Sequence, residues 1–480
     1  MDKIVVIWFR RDMRLDDHIA LSKAITYAKK HEYKLFALYH LDPFFTEMDL
    51  DLNNEHFFQN LAHFIKEARE SQMYVHLLHD DVLRAFQQVI DVYDIKAVFF
   101  NEDQVGIGQR RDHHVTDFLE KKGIHVSKWQ DTHLHGAQDI LKADGTHYQV
   151  FTPYYQSWRK REKQPVIKVD KSFFSSARTI CDESLSHKGN DKLRSIIMRC
   201  SRKFDQIGSH KAMNTLHDFI QKRLTRYHEK RDIPSVFGTS KLSRFLKTGT
   251  ISIRTIFHAV HEEALFEDEG REPFIKELAW RDFYHMIYAH YPEMKEKEIN
   301  SAFQGMIWNE DETLFEAWCK GETGFPLVDA GMRQLNEEGW MHNRLRMVTA
   351  SFLTKDYLID WRKGEAYFAK KLVDYDEASN IGGFQWAASV GTDAVPYFRI
   401  FNPTTQSKRF DPSGEYIRRY VPELEHVDEK WIHEPSKMPM PIDEQLKSSC
   451  VLGDTYPLPT VDHKERRKKA ISLFEEAKQQ

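Results

Sequence analysis

Glycine is missing where a nucleotide-binding sheet most needs it. After the apolar run "IVVIWF" comes "RRDMRLDD", which holds none. A dinucleotide held in the usual manner needs glycines at that turn so that the backbone can approach the pyrophosphate. The GxG at Gly106 does not make up the lack, because Arg111 stands at the third position. Cysteine is scarce as well. Cys181, Cys200, Cys319 and Cys450 form no CxxC and no metal spacing, so a zinc ribbon or disulfide scaffold is excluded and no metal is expected. Long apolar runs are also absent. No eighteen consecutive residues are apolar, and "MDKIVVIWFRRD" is too short for a secretory segment. These absences predict a soluble cytoplasmic protein.

What is present points to a folded chain of more than one domain. The sequence has 480 residues, 41% hydrophobic and 13% aromatic, too long for one ordinary core. Through about residue 131, short β-rich runs such as "KIVVIWF", "KLFALYHL", "YVHLLH" and "AVFFNE" alternate with helical stretches. That pattern predicts an α/β domain with a parallel sheet, Rossmann-like but without GxGxxG. Residues 132–204 read as an irregular interdomain linker. From 205 to 480 the period becomes 3.6, which predicts a larger all-helical domain, including one helix through "RLRMVTASFLTKDYLID". The net charge of −4 hides an imbalance: Ser201 to Arg254 holds 12 Lys/Arg against 4 Asp/Glu, a local +8. Two readings stand, a solvated helical surface or a patch facing phosphates.

The helical part concentrates Trp280, Trp308, Trp318, Trp340, Trp361 and Trp386 among Asn343, Arg344, Asp374, Asp376 and Asn380. Such tryptophans suit core packing. With so few nucleophiles nearby they equally suit a large planar ligand and electron hopping, since indole is easily oxidised. The segment "GTSKLS", Gly238 to Ser243, is either an ordinary helix cap or a pyrophosphate site.

The stretches "ELAWRDFYH", "GFPLVDAGMRQLNEEGWMHNRLRMVTASFL", "DWRKGEAYF" and "DEASNIGGFQWAASVGTDAVPYFRIFNPTTQ" resemble the DNA photolyase/cryptochrome family. The start "VIWFRRDMRLDDHIAL" resembles that family's antenna domain. The resemblance implies FAD in the helical domain. Tyr227, Thr239, Ser240, Lys241, Leu242 and Ser243 are implied at the pyrophosphate, and Arg281, Asn343, Asp374, Tyr375, Asp376 and Asn380 elsewhere on the cofactor, with Asn380 at the flavin N5. Within the family the chain looks most like the class I enzymes for cyclobutane pyrimidine dimers. Asn380 stands where plant light receptors carry Asp, and "MHNRLRM" offers Asn343 and Met347 where (6-4) enzymes place histidine. The implied activity is deoxyribodipyrimidine photo-lyase. Excited FADH⁻ gives one electron to a flipped-out lesion held by Trp280, Trp386 and Glu277, with Asn343, Met347 and Asn380 also at the reaction centre. The implied DNA-binding residues are Glu277 through Tyr284 (Glu277, Leu278, Ala279, Trp280, Arg281, Asp282, Phe283, Tyr284), Asn343, Arg344, Arg399 and Gln406. UV-damaged DNA is the implied partner, with no membrane, no obligate protein partner and a monomer. The rival reading is a cryptochrome-like blue-light sensor that binds FAD without repair.

Two departures stand out. Trp308 and Trp361 match the outer and middle members of the family's electron-transfer tryptophans, but the inner position is Phe384. Either another aromatic, Trp386 or Tyr375, takes over or photoreduction is lost, so slow photoreduction is expected. The second concerns the antenna. The pair that binds methenyltetrahydrofolate in the family falls on Ile107 and Gly108, which weakens the folate reading. The antenna alternatives are methenyltetrahydrofolate, a deazaflavin, a flavin or none, and His40 and Lys295 lie near matching places.

Overall fold

A computed structural model describes residues 1–175, 177–262, 269–439 and 450–479. The chain forms two compact units. The first comprises Met1–His147, Tyr154–Thr225 and Ser240–Ala289; the second comprises Tyr148–Pro153, Arg226–Thr239 and His290–Gln480. Among the described residues, no helix is long and apolar enough to cross a membrane.

In the first unit, strands β1 (Lys3–Phe9), β2 (Lys34–His40), β3 (Val75–Leu78), β4 (Asp94–Asn101) and β5 (His125–Trp129) form one sheet in the order β3-β2-β1-β4-β5. Every pairing is parallel. Helices α1 (Ile19–His31), α2 (Leu52–Glu70), α3 (Val82–Val92) and α4 (Gly106–Lys121) make the crossovers. Strand side chains alternate between faces, so β1 serves two cores: Val5, Ile7 and Phe9 enter one, Ile4, Val6 and Trp8 the other.

The glycine-free loop after β1 lies at the point where the strand order reverses, between β1 and β4. Charge pairing holds it. Arg10 donates to Asp112, and Asp12 accepts from the Arg10 backbone at 2.7 Å and from Asn101 at 2.8 Å. Arg14 and Arg254 both pair with Asp131. Such buried ions are tolerated because each has a partner. Gly249, at φ +67, presses on this loop: a Cβ there would lie 2.1 Å from the Arg11 carbonyl oxygen.

Two helices occupy the segment read as irregular: α5 (Phe151–Lys160) and α6 (Glu183–Arg199). Asp182 caps α6 through the Ser184 amide. A glycine in mid-helix argues for a loop from sequence alone. Gly189 is there because α6 sits directly on β3, where a Cβ would lie 2.2 Å from the Leu77 carbonyl oxygen. Helices α7 (Ser209–Lys222), α8 (Ile253–Glu262) and α9 (Arg271–His290) follow.

The second unit is helical: α10 (Glu312–Lys320), α11 (Pro326–Glu338), α12 (Asn343–Ser351), α13 (Trp361–Lys371), α14 (Glu377–Ala388) and α15 (His463–Ala477). Pro326 starts α11 and left-handed Gly339 ends it. The helix expected over residues 344–360 does not run through. After Ser351 it widens into a π-turn, Phe352–Asp356. Side chains distant in sequence hold that turn: Lys355 donates to Ser389 at 2.9 Å and lies 3.6 Å from the Phe474 ring centre, while Asp356 pairs with His463.

Candidate active site

In the second unit the candidate residues gather on α12, α13 and α14. Asp376 caps α14 by accepting from the Ser379 amide at 3.0 Å. One turn in, the Asn380 amide nitrogen donates to the Glu365 backbone oxygen at 3.3 Å and to its Oε1 at 3.1 Å. Tyr375 donates its hydroxyl proton to the same Oε1 at 2.8 Å. Burial pushes the Glu365 carboxyl above its ordinary pKa, against the lowering effect of those two donors. Both Asn380 contacts engage its NH₂, so Oδ1 remains the amide's acceptor. Gly383 follows one turn later, and a Cβ there would meet nothing within 4 Å, so this side of α14 borders open space.

A second fixed pair lies beside this helix. Asp374 is buried, and both its carboxylate oxygens face Arg346 Nη2, at 3.0 and 2.8 Å. Arg346 also donates from Nε to the Met341 carbonyl at 2.9 Å. Sequence reading missed Arg346 and Glu365. The available signal for Arg346 was its place on the helix, one turn from Asn343 and adjacent to Met347. Nothing local marks Glu365.

Asn343 is exposed at the start of α12, its amide 3.9 Å from the Met347 sulfur. Arg344 is already engaged: it pairs with Asp232 at 2.9 Å and covers the Phe410 ring at 4.3 Å. Arg399 is exposed, and Trp386 is half-buried with Phe401 as ring neighbour at 6.4 Å. The Gln406 side-chain oxygen is buried with no hydrogen-bond partner among the described residues, an acceptor suited to a ligand. Tyr227 is buried and Thr239 half-buried. The preceding Gly238 is packed so that a Cβ would lie 2.6 Å from the Lys230 carbonyl oxygen. Trp361 is fully buried, donates to Glu298 at 3.1 Å and carries the Arg362 guanidinium 4.7 Å from its ring centre. Among the described residues, no ring contact joins Phe384 to Trp361 or Trp361 to Trp308.

In the first unit, Ser240 through Leu242 lead into a helix of six residues, Ser243–Thr248. Lys241 takes a left-handed φ of +54 and the Ser240 hydroxyl accepts from the Leu242 amide at 3.3 Å. On α9, Trp280 stacks on Tyr284 at 5.6 Å, and Arg281 donates to the Thr132 carbonyl. Four of the eight α9 residues expected at DNA are corrected. Leu278, Ala279, Asp282 and Phe283 are buried, because the helix turns that stripe toward its own core. Asp282 accepts from the Leu134 and His135 amides and from the Trp158 indole at 2.9 Å, and burial pushes its carboxyl up to about 6. Glu277, Trp280, Arg281 and Tyr284 keep partial exposure.

At the antenna positions, Ile107 is exposed and apolar. Gly108 leaves no room for a side chain, since a Cβ would lie 2.4 Å from an Asp103 carboxylate oxygen. The folate donor pair is therefore not met. His40 is held by the Asp80 carbonyl at 2.7 Å, and Lys295 by Glu377 at 2.8 Å.

A family model for DNA photolyase matches residues 5–170, and one for the FAD binding domain of DNA photolyase matches residues 274–476. A deoxyribodipyrimidine photo-lyase of Alkalihalophilus pseudofirmus is 46% identical over 98% of each chain. The crystal structure of a class III photolyase from Agrobacterium tumefaciens matches with a TM-score of 0.89 and 35% identity, covering 100% of this chain and 98% of that one. A cryptochrome of Synechocystis shares the fold at 0.83 and 25% identity, covering 98% of this chain and 99% of that one. The chain belongs to the DNA photolyase family, as an FAD-dependent enzyme of the deoxyribodipyrimidine photo-lyase class.

Proposed function

We propose that this protein repairs cyclobutane pyrimidine dimers in DNA using blue light. The observation that carries the reading is the Asn380 amide, aimed by Glu365 and followed on α14 by Gly383, which borders open space. The residues present fit a flavin: an oriented amide, a clear helix flank and a pre-paired Arg346–Asp374 couple. When bound, reduced FAD supplies the electron that opens the cyclobutane ring and receives it back.

The chain's own residues bind and orient. Asn380 offers Oδ1 to a ring N–H, and Glu365 keeps that amide from turning. Asp374 and Asp376, with Tyr375, bound the cofactor in the second unit. Tyr227 and Thr239, in the same unit, are assigned to the rest of it; Ser240 to Ser243 and Arg281 keep the roles that the resemblance implies. In the second unit Trp386 presents a half-exposed indole suited to stacking on a flipped base, the Asn343 amide suits its polar edge and the Met347 thioether its apolar face. Trp280, half-exposed on the first unit, and Glu277 keep the roles that the resemblance implies. Arg399 supplies phosphate affinity together with the solvent-facing cations of segment 201–254, among which the buried Arg244 and Arg254 do not count. The unpartnered Gln406 oxygen supplies an acceptor for the lesion strand. Arg344, engaged by Asp232, contributes by exchanging that partner for a phosphate.

We assign residues 1–131 to the antenna domain, 132–204 to the connection and 205–480 to catalysis, in a cytoplasmic monomer whose partner is damaged DNA. The light-sensor alternative draws support from the Synechocystis cryptochrome's fold; Asn380 and Met347 weigh against it. The test is an oligonucleotide with one thymine dimer, incubated with dithionite-reduced protein in blue light or darkness. Light-dependent recovery of intact thymines is expected. Bound, reduced FAD without repair would leave the sensor reading standing.

A further inference from the structure

The rings around Phe384 lead away from the tryptophans that the resemblance assigns. Phe384 is buried on α14 and meets Phe368 edge-on, with centroids 5.0 Å apart and planes at 77°. Phe368 stacks on Trp318 at 5.7 Å and 10°. Trp318 stacks also with Phe315, at 6.0 Å and 19°, and meets Tyr367 at 5.8 Å. Gly364 makes this possible. A Cβ there would lie 2.6 Å from the Phe384 ring, so the missing side chain lets that ring lie close against α13.

The two buried tryptophans differ in their ring neighbours: Trp318 stacks on Phe368 in the Phe384 series, and among the described residues Trp361 has no ring contact with Phe384. Arg362 lies over Trp361, but its guanidinium is paired with Glu298 and Asp360, and Glu298 also accepts the Trp361 indole N–H at 3.1 Å, so ring contacts rather than charge set the two apart. Trp318 has no cation over its ring among the described residues, and its indole N–H donates to the Thr349 carbonyl at 3.0 Å. An acceptor on the indole N–H favours the positively charged ring, and both tryptophans have one. Tyr367 beside it donates its hydroxyl proton to Asn336 Oδ1 at 2.6 Å and is only half-buried.

We propose that Trp318 is the electron donor for photoreduction of the bound flavin, through the Phe368–Phe384 ring pair, and that Tyr367 refills it. The proposal rests on the FAD-dependent reading above. One electron leaves the Trp318 indole for the excited oxidised cofactor. Tyr367 then returns one electron to Trp318 and loses its phenolic proton to water. A thiol from solution gives a hydrogen atom to the tyrosyl radical, and two thiyl radicals couple to a disulfide. Phe384 and Phe368 are bridges and are never oxidised themselves.

The experiment is flash photolysis with EPR on the full-length protein, loaded with oxidised FAD, in dithiothreitol. Wild type is compared with Trp318→Phe, Tyr367→Phe and Trp361→Phe. A tryptophanyl signal followed by a tyrosyl signal is expected in wild type and in Trp361→Phe, with both lost in Trp318→Phe. In Tyr367→Phe, which keeps the ring, the tyrosyl signal vanishes and the tryptophanyl radical decays by recombination. Radicals that persist in Trp318→Phe, or disappear in Trp361→Phe, overturn the proposal. So does a tyrosyl signal surviving in Tyr367→Phe, which keeps the test open should Trp318→Phe fail to fold. Dimer repair by dithionite-reduced samples is scored in parallel: its failure counts against the repair function, and the radical identities still decide the route.

Discussion

Arg346 holds Asp374 through one guanidinium nitrogen, which lies 3.0 and 2.8 Å from the two carboxylate oxygens. The Asp374 side chain is 2% exposed, so its charge sits away from water. Removing one partner of such a pair leaves an ion in low dielectric. Arg346→Ala is expected to lower stability by about 3 kcal/mol and to purify with FAD depleted. Urea unfolding and the flavin-to-protein absorbance ratio check the two parts. A variant with wild-type stability and full FAD would remove this pair from the site.

Glu365 aims Asn380, so Glu365→Gln keeps the size but can turn its own amide and loosen the contact. A shifted flavin absorption band is expected with the fold intact, read by visible spectroscopy beside circular dichroism. An unchanged spectrum would count against the aiming role.

Asp282 gives a pH dependence with a definite sign. Burial raises its folded carboxyl to about 6 against a reference near 3.8, so the folded chain binds a proton that the unfolded chain has lost. Stability therefore falls as pH rises from about 4 to about 6 and is level above that, a change of up to about 3 kcal/mol. Asp282→Asn should flatten that stretch of the unfolding profile. An unaltered profile in the variant would assign the dependence to other groups.

Phe384→Trp places an oxidisable ring at the inner position. Faster photoreduction than wild type is expected, with repair by chemically reduced protein unchanged. Equal photoreduction rates in the two proteins would contradict the expectation from Phe384.

Gly364→Ala puts a methyl group 2.5 Å from Leu353 Cδ2 and 2.6 Å from Phe384 Cε1. Overpacking should outweigh the helix-propensity gain and cost about 1–2 kcal/mol, measured by thermal unfolding. A stabilised variant would show that the contact yields. For DNA, Arg399→Ala should reduce the salt slope of binding to irradiated duplex by about one.

Local periodicity determined much of this protein. The alternation along β1, the 3.6 period of α9 and α11, and the cap at Asp376 follow from neighbours within a turn or a strand. So does the missing glycine after β1, which excludes the usual dinucleotide turn. What the sequence could not show are relations between elements. A mid-chain glycine such as Gly189 reads as a loop until β3 lies beneath it. The π-turn at Phe352–Asp356 looks like plain helix until Ser389, Phe474 and His463 are brought to it. Arg346 and Glu365 join the candidate site only when Asp374 and Asn380 are placed against them. The six tryptophans are alike as letters; tertiary packing alone put Trp318 in the ring series of Phe384 and a guanidinium over Trp361. Side-chain chemistry is written residue by residue, but oxidation, orientation and burial depend on neighbours far away in sequence, and only the folded chain brings those together.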